Sequence, residues 1–325
     1  MRDNEQNERL VAYITKRLPQ NIKKVTFFTD LLDLSNESAY RRLRGEIPFT
    51  LEELVKLSKE LDFSIDEALA KDNTDKAVFD LKTDMLSDPQ EAFLNILTSY
   101  CDDVILEVEG QNRNALVSLN HMILPFSFRY SNMFRFNYYK WIHQSQDVSL
   151  NYSFSDVVLP LEINLLRKRA AELSDMVDNT TMILDNNIYL HTIKDMQYYY
   201  RRNLITKEEF KQIKEEFIFM IEQTERLVQT GLNRFGKSRY YYISPLSIKS
   251  NIVLVHYDAT VISHLWYNSL TPISTTNSKL CSDHVAWLNS LKKYSSLITQ
   301  SNEILSSEFF NQQRKYAEEM DVIMY

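Results

Sequence analysis

Glu37, Tyr40, Arg41 and Arg44 recur at spacings of three and four, which puts them on one stripe of a helix while Ala39 and Leu43 turn inward. Such a stripe is suited to hydrogen bonding with a polyanion. Arg41, Arg42 and Arg44 crowd three guanidinium groups onto a short segment, and phosphates would relieve their repulsion. In the major groove of duplex DNA an Arg donates two parallel bonds to guanine, discriminating by about 1–3 kcal/mol, and Arg41 is the first candidate for this role. Glu37 has two readings: acceptor from a cytosine amino group, or partner of Arg41 one turn later, worth only about 0.2–0.5 kcal/mol. Lys23, Lys24 and Arg42 suit phosphate contacts, which set register and carry no sequence information.

The flanking residues bound the helix that must present this stripe. Ser35 is a good N-cap, Leu34 can staple onto Ala39, and Gly45 can stop the helix in a left-handed conformation, which predicts a helix over Asn36–Arg44. Upstream, Leu10, Val11, Ile14 and Leu18 form an apolar stripe that predicts a first helix from about Glu8 to Leu18, with Pro19 helping to end it. Val25, Phe28, Leu31 and Leu32 predict a second helix of about two turns. Downstream, Thr50 with Glu53 makes a capping box for a fourth helix carrying Leu54, Leu57 and Leu61. Ser64 with Glu67 makes another for a short fifth helix ending near Ala70. Five helices around one small core are expected.

Residues 7–70 resemble the Cro and phage-repressor type of helix-turn-helix domain, the XRE family. Its pattern V-S-x-x-x-[VI]-x-R-x-x-x-G is matched by Leu34-Ser35, Ala39, Arg41 and Gly45. Its following P-x-x-x-x-[LI]-x-x-[LI]-[AS]-x-x-[LF] is matched, with one extra residue after Pro48, by Leu54, Leu57-Ser58 and Leu61. The chain departs from the usual pattern at the start of the second helix (Lys23-Lys24-Val25-Thr26), at Ala39, where Val or Ile is usual, and at Arg42, where an aromatic is frequent. The resemblance implies that the third helix enters the major groove. Asn36, Glu37, Ser38, Tyr40 and Arg41 would then face base edges or nearby phosphates, with Arg44 and the loop after it along the backbone.

The 325-residue chain is long enough for two or three domains, and its apolar content of 44% supplies real cores. Four Gly and seven Pro disfavour an all-β fold and favour helix. A net charge of −7 argues against general coating of nucleic acid, so any basic surface must be local. Between Lys16 and Arg44, seven basic residues face three acidic ones, a local balance of +4. Two isolated cysteines, Cys101 and Cys281, suit reduced thiols rather than a disulfide framework. The charged first residues lack the apolar core of a signal peptide, and the longest uncharged run, Ala259–Ser278, is rich in Ser, Thr and Asn, so a cytoplasmic protein with no membrane partner is expected.

Residues 71–90 are polar with scattered apolar positions and read as a linker with room for a short turn or strand. Beyond them, helical spacing predicts helices over about Gln90–Glu107, Leu159–Leu173, Met182–Tyr200, Thr206–Gly231, Leu280–Ile298 and Asn302–Met320, with Asn112–Met122 as a further one. The ring-rich segment Pro125–Trp141 has the interleaving of bases and aromatics that single-stranded nucleic acid also favours. Phe134, Tyr138 and Trp141 nevertheless recur at i, i+4, i+7, which favours a packed helix. The cluster Tyr198–Arg202 is read as interhelical packing over an anion site. Tyr240–Ile248, Ile252–Tyr257 and Val261–Tyr267 are rich in β-branched and aromatic residues, predicting a small antiparallel sheet with a turn at Asp258-Ala259-Thr260.

His256, Asp258 and His264 form a conceivable metal trio, read here as ordinary hairpin residues. No Walker loop, nucleophile elbow, His-Glu-x-x-His helix or dinucleotide fingerprint occurs, so no catalytic residue, metal or cofactor is nominated. The expected fold is mainly α: a five-helix helix-turn-helix domain over 1–70, a linker over 71–90, and a larger, mostly helical domain over 91–325 with a small antiparallel sheet and a β-hairpin near 240–267. The expected function is non-enzymatic, sequence-specific regulation of transcription through double-stranded DNA. The carboxy-terminal part would form a homodimer, on the strength of its aromatic richness, and would sense a small-molecule or protein effector. The alternative is a non-catalytic adaptor whose basic helix binds an acidic protein partner.

Overall fold

The computed structural model describes residues 2–18, 22–61, 63–65, 68, 76–81, 88–111, 113–145, 148–268 and 270–321. They form two compact units, Met1–Val78 with Asn277–Lys279, and Phe79–Thr276 with Leu280–Tyr325.

The first unit is a helical bundle of α1 (Arg2–Lys16), α2 (Lys24–Leu32), α3 (Asn36–Leu43) and α4 (Leu51–Glu60). The stripes predicted from spacing converge on one core in which Ile14, Ala39 and Leu57 are fully buried and Phe28 stacks on Phe49 at 5.6 Å between ring centroids. α1 starts earlier than apolar periodicity predicts, because a polar extension can be helical without burying a stripe and therefore leaves no periodic mark. Pro19 lies outside the described residues. So does Glu67 of the second capping box, although Ile65 and Ala68 are helical and the Ala68 amide donates to the Ser64 carbonyl at 3.0 Å.

The second unit is built on an eight-stranded mixed sheet, larger than the small antiparallel one expected. Its strands are β1 (Asp80–Leu81), β2 (Asn114–Leu119), β3 (Asn179–Asp185), β4 (Arg239–Ser244), β5 (Ile252–Tyr257), β6 (Thr260–Trp266), β7 (Pro272–Thr275) and β8 (Ser296–Leu297), in the order β1-β7-β6-β5-β2-β3-β4-β8. β2, β3 and β4 are parallel, with Leu116 opposite Thr181 and Met182 opposite Tyr241, whereas β5 runs antiparallel to β2.

Helices surround this sheet. α5 (Pro89–Glu109) precedes β2; α6 (Ser131–Gln144) and α7 (Leu161–Met176) connect β2 to β3; α8 (Leu190–Arg201) and α9 (Lys207–Thr230) connect β3 to β4; α10 (Ser278–Tyr294) and α11 (Glu303–Glu318) complete the unit. Right-handed crossovers between strands that advance in one direction place their helices on one face. Consistent with that rule, α5 to α9 share one core with Val117, Leu184 and Tyr241, while the opposite face, with Ile183 and Leu254, packs on Leu288 and Leu291 of α10.

Two segments expected to be helical contain strands. Asn112–Met122 is not a helix: its described core is strand β2, and Met182–Tyr200 begins as strand β3 before turning into α8. Both strands are buried between layers, so their apolar runs lack a polar alternation and resemble buried helix. Other local signals held. Thr206 and Glu209 form the capping box of α9, Gly231 closes it at φ 68°, and Asp258 turns the β5–β6 hairpin at φ 51°. Phe134, Tyr138 and Trp141 are core residues of a packed helix. In the Tyr198–Arg202 cluster, Tyr199 is buried, Tyr200 stacks on Phe210 at 4.2 Å, and Arg202 donates to the Tyr198 hydroxyl at 2.8 Å.

Candidate nucleic-acid interface

Three local devices fix the orientation of α3. The Ser35 hydroxyl accepts from the Ser38 amide at 3.2 Å, satisfying one free donor of the first turn. Ahead of it, Asp33 ends α2 in the left-handed region at φ 55°, and the Leu34 amide donates to the Thr29 carbonyl at 3.2 Å, which makes the turn short. Behind it, Gly45 sits at φ 75°, and an added Cβ would press on Glu8 Cγ at 3.3 Å. The Asn7 amide donates to the Gly45 carbonyl at 2.8 Å, fastening the end of α3 to α1.

With Ala39 fully buried beneath it, the opposite side of α3 faces solvent. Asn36, Glu37, Tyr40, Arg41 and Arg44 are exposed, and Ser38 is half-buried beside them. Lys23 and Lys24 are exposed at the start of α2, where the helix dipole adds positive potential. The stripe inferred from spacing is therefore brought together on one surface.

Arg42 does something different. Its Nε lies 2.9 Å and its Nη2 2.8 Å from the two carboxylate oxygens of Glu53, in a pair whose side chains are only 11% and 13% exposed. Glu53 also accepts from the Thr50 amide at 2.8 Å. One carboxylate thus completes the α4 capping box and ties α3 to α4, which uses the Arg42 guanidinium inside the bundle and not on its surface. The position of Arg42 where an aromatic is frequent was the available signal, since a planar side chain facing inward can occupy such a site.

Glu46 was not singled out in the sequence. Its carboxylate lies 3.6 Å from Arg41 Nε and 3.5 Å from Arg44 Nη1, so it, and not Glu37, is the ion-pair partner of Arg41. All three are substantially exposed, and Arg44 also lies over the Tyr40 ring at 5.9 Å. An exposed pair of this kind contributes little to stability, about 0–1 kcal/mol. It leaves both guanidinium groups available to a stronger anion.

The described residues contain no group of three His, Cys, Asp or Glu side chains that could hold a metal ion, so His256, Asp258 and His264 do not form one. Among them, no helix is long and apolar enough to cross a membrane.

The BetR domain family model, which describes a helix-turn-helix-type domain, matches residues 7–119. The match covers the bundle and continues through α5 to the end of β2. No curated protein and no solved structure matches the chain. Together with the geometry of α3, the match supports a DNA-binding domain of the helix-turn-helix type in this part of the chain.

Proposed function

We propose that the protein is a non-catalytic, sequence-specific regulator of transcription that inserts α3 into the major groove of double-stranded DNA in the manner of Cro-like repressors. The observation that carries this reading is the sorting of the arginines on one short helix: Arg42 is paired inside the bundle, whereas Arg41 and Arg44 remain outside with Lys23 and Lys24. In this reading Arg41 reads a guanine, and Asn36, Glu37, Ser38 and Tyr40 adjust the fit to neighbouring bases. Lys23, Lys24 and Arg44 bind phosphates.

A single helix of this length contacts too few bases for useful selectivity, so a homodimer engaging two half-sites about 34–36 Å apart is proposed. The aromatic richness that suggested an interface does not support it, because Phe93, Phe134, Tyr139 and Trp141 are buried in the second unit's own core. Only the short reach of α3 favours a dimer. A cytoplasmic location follows from this function.

Selection of bound duplexes from a random pool by the full-length protein at physiological salt tests the proposal. A palindromic motif with half-sites one helical turn apart is expected. A motif without symmetry would remove the dimer, and no enriched motif would remove sequence-specific reading.

A further inference from the structure

The second unit holds a partly open cavity of about 300 Å³ between α5, α7 and α9 on one side and the β2, β5 and β6 face of the sheet on the other. Engineered apolar cavities of about half that size accept benzene, so this one has room for a molecule of roughly two fused rings. Val104, Val117, Phe128, Met220, Val253 and Leu270 supply a mostly apolar wall.

Two polar atoms in the lining lack a hydrogen-bond partner among the described residues. One is Oε1 of Glu107, a side chain only 3% exposed, and the other is Nε1 of Trp266. A buried polar atom without a partner is costly, and a pair of them in one cavity is the pattern expected of a pocket whose ligand completes the bonding. Glu107 has an acidic side chain and Trp266 is a donor only, so the two ask for different functions from the occupant.

The charges in the wall indicate the occupant's charge. Arg129 pairs with Asp175, and Arg239, which donates to the Asp178 and Ser238 carbonyls at 3.0 and 2.9 Å, lies within electrostatic reach of Glu107. Burial pushes the Glu107 carboxyl up to about 7, the nearby Arg239 and Arg113 opposing that rise and Asp178 adding to it. Elsewhere in the lining Asp103 and Asp175 balance Arg129 and Arg239, while burial favours the neutral form of Glu107. A charged ligand would upset that balance.

We propose that this cavity binds a neutral, mostly apolar small molecule of about bicyclic size that bears a hydroxyl or amide group. That group exchanges a hydrogen bond with Glu107, and its oxygen accepts from the Trp266 indole N–H. The site lies wholly in the second unit, and binding there requires no DNA.

Equilibrium dialysis of the full-length protein, without DNA, against 2-naphthol, naphthalene and 2-naphthoate tests it. Saturable one-to-one binding of 2-naphthol is expected, at least tenfold tighter than that of the hydrocarbon or the anion. Glu107→Leu should bring 2-naphthol and naphthalene to within about twofold of each other while naphthalene binding persists. Should that variant not fold, as judged by circular dichroism, Trp266→Phe provides the same comparison and should weaken 2-naphthol more than naphthalene. The proposal is overturned if no probe saturates, if 2-naphthoate binds as tightly as 2-naphthol, or if folded variants keep the full preference for the hydroxyl.

Discussion

The Arg42 guanidinium and the Glu53 carboxylate meet at two points, 2.9 and 2.8 Å, and join the third helix of the bundle to the N-terminus of the fourth. This contact divides the arginines of α3 into one that holds the helix and two that face outward.

Arg42→Ala should loosen the bundle by about 2–3 kcal/mol, because it leaves a mostly buried carboxylate with a single backbone partner. Amide hydrogen exchange of the full-length protein should show faster exchange in α3 and α4. Arg41→Ala, at an exposed position, should leave those rates unchanged. Equal acceleration by both substitutions would contradict the division.

On DNA the two exposed classes should also part. Arg41→Ala is expected to relax preference at one position of each half-site, at a cost of about 1–3 kcal/mol on the selected sequence. Lys23→Ala should weaken selected and random duplexes alike and reduce the salt slope by about one unit. Fluorescence anisotropy on both duplexes at several salt concentrations separates them.

Glu46 competes with DNA for Arg41 and Arg44. Glu46→Gln should therefore tighten duplex binding about two- to fivefold, the range expected from releasing exposed ion pairs, with a larger gain at low salt. Unchanged or weaker binding would show that the carboxylate orients the guanidinium groups and does not withhold them.

Glu107 predicts a pH dependence of stability. Its folded pKa of about 7 exceeds the ordinary value of 4.5, chiefly through burial, so between these values the folded protein keeps a proton that the unfolded chain releases. Stability should fall as pH rises through that window, by about 3 kcal/mol from this group, and level off above it. Denaturant unfolding of the wild type and Glu107→Gln at pH 4.5, 6 and 8 isolates the effect. The substituted protein should lose this slope; parallel profiles would refute the assignment.

What could be read from the amino-acid order was whatever residues a few positions apart accomplish together. Ser35 capping α3, the Thr50–Glu53 and Thr206–Glu209 boxes, the left-handed stops at Gly45 and Gly231, and the exposed stripe of α3 all arise from contacts within about four residues. They follow from backbone geometry wherever the segment lies. Tertiary structure decided the rest. Strands β2 and β3 read as helices because burial on both faces removed the alternation that marks a strand, and only pairing across distant segments, such as Leu116 with Leu254, reveals them. Arg42 does not differ from its exposed neighbours in local pattern, and only its pairing with Glu53 on the next helix draws it inward. Glu107, Arg239 and Trp266 come from separate helices and strands, and no local pattern brings them to one cavity; that requires the sheet to close against its helices.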